Sequence, residues 1–170
     1  MEEKSVRRIR IEKVTLNVGC GGEAEKIEKA TKLLEMLTER KPVITKSKRR
    51  STFGITKGKP VGVMVTLRGK EAEDFLKKAL YAVENKIKSS QFDEEGNFSF
   101  GVKEYIDIQG VKYSHEVGML GLDVCVSLRR MGYRVKQRKI QKRQIPEKHK
   151  INKKEATDWL KNEHGVEIIE

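Results

Sequence analysis

Alternating apolar and polar positions predict four β-strands in this chain. Apolar residues recur at every second position over residues 14–18, 61–67 and 120–128, and a further segment has them at 98, 100 and 102 and continues to 106 and 108; most positions between them hold small or polar residues. Because successive side chains of a strand point to opposite faces, each segment has one apolar and one polar face. This pattern is typical of an antiparallel sheet that packs on one side only.

Two further segments have helical periodicity. Apolar residues recur every three or four positions over residues 24–37 and 72–83, and Pro42 follows the first segment. We therefore expect two amphipathic helices, the first ending before the proline. Strands and helices are mixed along the chain, which predicts an α+β fold. In this two-layer, mainly antiparallel arrangement, the helices pack on one face of the sheet and the other face stays open.

The C-terminal part has a different pattern. Residues 134–151, here called the basic arm, have almost no apolar period, and we expect them to be extended and outside the core. A short helix should follow, because Asn152 and Glu155 have capping-box spacing and Gly165 suits the position after a helix end. We therefore divide the chain into a domain at residues 1–133 and an arm with a short terminal helix at residues 134–170.

The positive charge is concentrated in two segments. The chain has 170 residues and a net charge of +12. Residues 40–59 contain eight basic residues and no acidic one, and residues 129–154 contain twelve basic residues and one acidic residue. Together these segments carry +19, so the rest of the chain carries −7. A polyanionic partner explains this segregation, whereas a generally charged surface, as in thermophilic proteins, explains only the high charged fraction.

Composition argues against several other classes. No run of eighteen apolar residues occurs, so we expect no membrane span, and the N-terminus lacks the apolar stretch of a signal peptide. Two cysteines are too few for a disulfide scaffold and have no zinc-ligand spacing, which indicates a reducing, intracellular setting and no metal. Cys125 is expected to pack within its strand, and Cys20 could be exposed in a turn. The three histidines suggest no catalytic triad.

A glycine-rich turn at residues 18–22 supports an alternative function. With Ala24, its sequence VGCGG fits G-x-G-x-x-A, a loop that cradles nucleotides or methyl donors in some folds. A methyl-donor-dependent methyltransferase is therefore the competing hypothesis. Such folds need a parallel strand soon afterwards that ends in an acid, but residues 41–50 are basic and contain none. We expect a plain turn, no cofactor and no enzyme.

RNA is the polyanion that the remaining features favour. The sequence has no helix-turn-helix, zinc-finger or aromatic RNP signature, and aromatic residues make up only 6 % of it. A one-sided sheet with basic loops suits structured RNA, which is recognised through its backbone and shape. We expect charged side chains to bind phosphates and Asn17 and Thr66 to add neutral hydrogen bonds. A nucleic-acid chaperone without a fixed target is a third possibility.

Four segments, in order along residues 9–128, resemble one known family. They are IEKVTLNVGCGG, ERKPVITKSKRR, GKPVGVMVTLRG and FDEEGNFSFGVKEY, and together they are similar to ribosomal protein five of the large subunit. The later segment GYRVKQRKIQKRQIPEKHKI resembles the archaeal and eukaryotic branch of this family.

The resemblance implies a structural role in the cytoplasmic ribosome. Members of the family attach 5S rRNA in the central protuberance, contact large-subunit rRNA, approach P-site tRNA and join a bridge to a small-subunit protein. By resemblance or by charge, the positions expected to bind 5S rRNA are Asn17, Gly19, Arg40, Thr45, Lys46, Lys48, Arg49, Arg50, Thr66 and Arg68. The loop expected near tRNA contains Lys86, Lys88, Ser89, Ser90 and Gln91. In the arm, the residues expected to bind rRNA are Arg134, Lys136, Arg138, Lys139, Lys142 and Arg143.

Overall fold

The computed structural model describes residues 6–52 and 54–169. Its strands are β1 (Arg10–Gly19), β2 (Val43–Lys46), β3 (Pro60–Leu67), β4 (Lys86–Lys88), β5 (Phe98–Val102), β6 (Leu122–Arg129) and β7 (Glu167–Ile169). Its helices are α1 (Ala24–Thr38), α2 (Lys70–Ala82), α3 (Arg134–Gln137) and α4 (Lys153–His164). The predicted α+β class is confirmed.

Five strands form the main sheet, in the order β2-β3-β1-β6-β5. All its neighbouring strands are antiparallel, and β1 lies at the centre, paired with β3 on one side and with β6 on the other. Val14, Leu16 and Val18 are almost completely buried on that face. They form one core with the apolar sides of α1 and α2, so the opposite face of the sheet stays open, as the alternation predicts.

Both predicted long helices and the predicted terminal helix are present. Local backbone features and capping residues set the ends of α1 and α4. Helix α1 ends at Glu39, which has a left-handed backbone with φ of 52°. In α4, Glu155 Oε2 accepts a hydrogen bond from the Asn152 backbone N–H at 3.2 Å, and Gly165 ends the helix with φ of 63°. The capping residues of the terminal helix therefore act as the sequence predicts.

Two parts of the chain differ from the prediction: one strand is shorter than expected, and one expected loop contains a strand. The third predicted strand, residues 98–108, ends at Val102, and a 3-10 turn follows at Tyr105–Asp107. This turn buries Tyr105, whose hydroxyl accepts a hydrogen bond from the Ser114 backbone N–H at 2.9 Å. The loop expected near tRNA contains β4, which pairs in parallel with β7.

The terminal helix shares the core of the sheet. Ala156 and Leu160 of α4 are fully buried and belong to the same apolar cluster as β1. Ile151 is only 1 % exposed, so the expectation that the arm stays outside the core is wrong at this residue. The arm also contains a short helix, α3, within the segment expected to be extended. The proposed division at residue 133 remains a prediction.

Candidate nucleic-acid interface

The face of the main sheet opposite the helices, here called the open face, presents mostly short neutral side chains. Thr15 in β1 is paired with Thr66 in β3 and with Cys125 in β6. Asn17 is paired with Asp123 in β6. All five are partly or fully exposed. Short polar side chains allow close approach and can hydrogen-bond ribose hydroxyls and base edges, which is how structured RNA is recognised.

Glycines flatten the part of this face next to β2. Gly62 lies opposite Gly19 in the register, and a Cβ at position 62 would come within 2.7 Å of the Val18 carbonyl oxygen and 3.1 Å of Thr45 Oγ1. Gly62 is therefore required by the packing of the strands. Gly19 is exposed and has open space where a side chain would stand, so its backbone is accessible to a ligand.

The first basic segment extends one end of this sheet. Residues 47–59, here called the basic hairpin, connect β2 to β3, and backbone bonds of 2.9 Å join Ser47 N–H to the Lys59 carbonyl and Gly58 N–H to the Ser47 carbonyl. Ser47 Oγ also donates to the Arg49 carbonyl at 2.6 Å. The structure thus brings together four exposed cations predicted to bind phosphates: Lys46, Lys48, Arg49 and Arg50.

The two other arginines expected to bind 5S rRNA, Arg40 and Arg68, lie outside the basic hairpin. Arg40 lies between α1 and β2 and forms a two-pronged ion pair with Glu71 at the start of α2, with Nε–Oε2 and Nη2–Oε1 distances of 2.9 and 3.0 Å. The hydrogen bond to Glu71 raises the pKa of Arg40. Arg68 follows β3 and donates from Nη1 to the Glu12 carbonyl at 3.4 Å. Arg68 therefore adjoins the open face, whereas the Arg40 guanidinium is held by an acidic partner.

The residues of the predicted tRNA loop form a separate group beside β7. Lys86 and Lys88 are exposed on β4, and Ser89, Ser90 and Gln91 form the 3-10 turn that follows it. Gln91 Oε1 accepts a hydrogen bond from the Lys88 backbone N–H at 3.0 Å. Lys86 Nζ lies 2.8 Å from Glu84 Oε2, and the hydrogen bond to this carboxylate raises the pKa of Lys86.

The second basic segment folds back on itself. Arg134 and Lys136 lie on α3, and the backbone N–H of Arg143 donates to the Val135 carbonyl at 3.2 Å. Arg138 Nε donates to the Gln141 carbonyl at 2.9 Å. The arm therefore presents its predicted rRNA-binding residues on one short, folded segment, and all are exposed: Arg134, Lys136, Arg138, Lys139, Lys142 and Arg143.

A buried arginine ties the arm to the domain. Arg130 is only 7 % exposed, and its Nη2 lies 2.8 Å from Glu155 Oε1 of α4. Its Nη1 lies 3.5 and 3.3 Å from the carbonyl oxygens of His149 and Lys150. His149 Nε2 in turn donates to the Met131 carbonyl at 2.8 Å. These contacts join β6, the end of the arm and α4.

Sequence reasoning missed Asp123 and misplaced both cysteines. Asp123 is exposed beside Asn17 and is a carboxylate on an otherwise neutral part of the open face. Cys125 is exposed on the same face, whereas Cys20 is 3 % exposed, and burial raises the pKa of its thiol. The alternation of β6 contains the missing signal, since it places positions 123 and 125 opposite the apolar positions.

The glycine turn does not form a methyl-donor site. The strand that precedes it, β1, has antiparallel neighbours on both sides, so the parallel strand–helix–strand unit of cofactor-binding folds is missing around it. Glu23 N–H donates to the Cys20 carbonyl at 3.2 Å, which closes a turn between β1 and α1. Gly21 and Gly22 supply the positive φ angles, 61° and 90°, that this turn requires.

Within residues 6–52 and 54–169, no group of three or more His, Cys, Asp or Glu side chains is placed to hold a metal ion. None of the helices described there combines the length and apolar character that a membrane span needs.

Comparison with known proteins shows which family the chain belongs to. Residues 5–55 match the family model described as ribosomal protein L5, and residues 60–159 match the model for the C-terminus of the same ribosomal family. Large ribosomal subunit protein uL5 of Nanoarchaeum equitans is 50 % identical over 98 % of this chain and 99 % of its own length. The uL5 protein of Sulfurisphaera tokodaii is 48 % identical over 97 % and 94 %. The chain therefore belongs to the uL5 family, whose members are structural proteins of the large ribosomal subunit in the cytoplasm and not enzymes.

Proposed function

We propose that this chain binds 5S rRNA through the open face and the basic hairpin and so attaches that RNA to the large subunit. The observation that carries the proposal is the division of the surface into a neutral sheet and a cationic loop at its end. Thr15, Asn17 and Thr66 offer short hydrogen-bonding groups, whereas Lys46 and Lys48 offer charge. A neutral surface suits the ribose and base edges of a helix, and the cations suit the phosphates beside it.

Asp123 extends this proposal to base recognition. A carboxylate repels phosphate but accepts hydrogen bonds from base amino and ring N–H groups. Its place beside Asn17 on the open face therefore favours contact with a groove or with unpaired bases at this point. Phosphates would be held by the basic hairpin and by Arg68.

The other two surfaces are proposed to serve the remaining partners. The folded arm, whose six predicted rRNA-binding residues are all exposed, would bind large-subunit rRNA. The β4 turn, including Lys88 and Ser90, would approach P-site tRNA, and the domain would contribute to a bridge with a small-subunit protein. Support for the tRNA and bridge contacts comes from the family resemblance alone.

Binding to purified 5S rRNA tests the main proposal. A filter-binding titration at several salt concentrations should give tighter binding to 5S rRNA than to a random RNA of equal length, with affinity falling steeply as salt rises. Equal binding to both RNAs would refute specific recognition and favour the nucleic-acid chaperone.

The two cysteines locate the bound RNA in the same samples. Cys125 lies exposed in the middle of the open face and Cys20 is buried, so iodoacetamide should alkylate Cys125 in the free chain and Cys20 only after unfolding. Bound 5S rRNA should slow alkylation of Cys125 severalfold. Unchanged alkylation of Cys125 at saturating RNA would place the RNA elsewhere on the protein.

A further inference from the structure

A crevice lies where the basic arm meets the open face. It has a volume of about 540 Å³, and Lys13 of β1 and Ser127 of β6, which are paired across the two strands, line its sheet side. Lys136 and Gln144 of the arm line the opposite side. Because Lys13 and Ser127 continue the row of open-face residues, an RNA lying on the sheet reaches the mouth of this crevice.

The walls of the crevice are held in place by the protein itself. Asn97 Oδ1 accepts a hydrogen bond from the Leu128 backbone N–H at 3.2 Å, and its Nδ2 donates to Asp93 at 2.8 Å. On the arm side, Gln137 Nε2 donates to Glu12 Oε1 at 2.9 Å. The hydroxyl of Tyr133 donates to the His149 carbonyl at 3.4 Å. The cavity is therefore built before any ligand arrives, as small-molecule sites usually are.

Several polar groups remain available to a ligand. Among the described residues, Glu95, Gln144 and Lys136 line the crevice and form no side-chain hydrogen bond or ion pair with the protein. Lys136 and Lys13 supply positive charge on opposite walls, Gln144 supplies an amide, and Glu95 supplies an anionic acceptor. The partly buried ring of Tyr133 adds an aromatic surface.

This set of groups fits one class of ligand. The volume lies within the roughly 300–1,000 Å³ of small-molecule sites, lysines on both walls attract a phosphate, and a carboxylate with an amide suits the edge of a base. An acidic peptide would be repelled by Glu95 and Glu12, and a basic peptide by the lysines. Continuity with the open face favours a nucleotide that is part of an RNA.

We propose that this crevice receives one unpaired nucleotide of the bound rRNA, preferably a guanosine. The preference follows from Glu95, because guanine presents two adjacent N–H donors on its Watson–Crick edge and a carboxylate can accept from both. This inference rests on the proposed rRNA-binding function and adds a base-specific contact to it.

Free guanosine 5′-monophosphate tests the crevice without any rRNA. In a titration of the ¹⁵N-labelled full chain followed by NMR, GMP should shift the signals of Ser127 and Gln144, and UMP should bind more weakly. Glu95→Gln should weaken GMP binding about fivefold to tenfold, as expected for the loss of a charged hydrogen-bond acceptor. Glu94→Gln is the matched control, since Glu94 is the exposed neighbour that does not line the crevice.

The lysines provide a second matched pair. Lys136→Gln should weaken GMP binding severalfold and leave guanosine binding unchanged, because this side chain serves the phosphate. Lys148→Gln removes the same charge from an exposed arm lysine that does not line the crevice, and should have little effect. Equal effects of the two substitutions, or GMP shifts spread over the whole basic surface, would overturn the crevice as a nucleotide site.

Chemical probing of the rRNA complex completes the test. Kethoxal reacts with the Watson–Crick edge of unpaired guanine, so wild-type chain and Glu94→Gln should protect a guanine of 5S or large-subunit rRNA that Glu95→Gln leaves reactive. Loss of this protection with overall affinity retained supports the inference. Identical protection patterns for the two variants would overturn it. Failure of the wild-type chain to bind rRNA at all would instead refute the proposed function, whatever the GMP titration shows.

Discussion

The ion pair between Arg130 and Glu155 should respond very differently to the loss of one partner or the other. The Arg130 side chain is 8 % exposed and that of Glu155 is 43 % exposed. Removing the arginine leaves a carboxylate that water can reach. Removing the negative charge leaves a cation that water cannot reach. Removing the negative charge of Glu155 should therefore cost more stability than removing Arg130, although both changes break the same ion pair.

The structure allows both costs to be worked out. Glu155→Gln keeps an oxygen that can accept the Asn152 N–H, so it mainly removes the counter-charge of a buried guanidinium. The cost of breaking a buried pair in this way is about 3 kcal/mol. Arg130→Met should cost about 1 kcal/mol, since it loses one partly exposed pair and two long hydrogen bonds. It also removes the buried Arg130 Nε, which has no hydrogen-bond partner among the described residues.

Urea unfolding followed by circular dichroism measures these differences. The free energy of unfolding should decrease in the order wild type, Arg130→Met, Glu155→Gln, with unchanged dependence on urea concentration. The double variant should be more stable than Glu155→Gln alone, because it no longer buries an unpaired cation. If Arg130→Met proved the more damaging single change, or if the double variant were the least stable, the reasoning from burial would be refuted.

Two further outcomes concern salt and pH. Lys46→Ala combined with Lys48→Ala should reduce the salt slope of 5S rRNA binding by about one to two units. The control substitutions, Lys29→Ala and Lys78→Ala on the helix layer, should leave it unchanged, and an unaltered slope in the first variant would exclude phosphate contacts by these lysines. Burial lowers the pKa of His164, so as pH falls the unfolded chain takes up a proton first and stability declines through pH 6.5 and below. His164→Gln should flatten this decline in thermal unfolding measured from pH 7.5 to 5.5, and an equal decline in both proteins would contradict the assignment.

The elements that could be predicted are those whose pattern is local. Helix α1 and the central part of β1 each have their full apolar period within one segment. The apolar period and the residues that mark the ends were therefore sufficient to predict both elements. The capping residues Asn152 and Gly165 marked the terminal helix for the same reason. None of these predictions required knowledge of which segments meet in space.

The elements that could not be predicted depend on distant partners. Strand β2 has only four residues inside a basic segment, and its pairing with β3 defines it. Strands β4 and β7 have three residues each and come from opposite ends of the C-terminal half. At residues 105–108, the chain buries Tyr105 and Ile108 in a turn, whereas the strand prediction there rested on the alternation of Ile106 and Ile108.

For the candidate site, the sequence predicted which residues carry charge but not how they are arranged in space. The four cations at the basic hairpin were predicted as a group because they are adjacent in sequence. The ion pair of Arg40 with Glu71 could not be predicted, since the two residues are thirty-one positions apart and meet only in the folded chain. The crevice was hidden for the same reason, because its walls come from β1, β6 and the arm.

The central position of β1 has a consequence for synthesis of the chain. A ribosome delivers residues 10–19 long before residues 122–129, which form the partner strand β6, so one edge of β1 stays unpaired until most of the polypeptide has been made. Exposed strand edges recruit other chains, and here the emerging segment also carries the polycationic hairpin. An incomplete chain would therefore combine an aggregation-prone edge with a charge that attracts any nearby nucleic acid. Premature termination is thus a particular hazard for this protein, and rapid removal of truncated products would protect the cell that makes it.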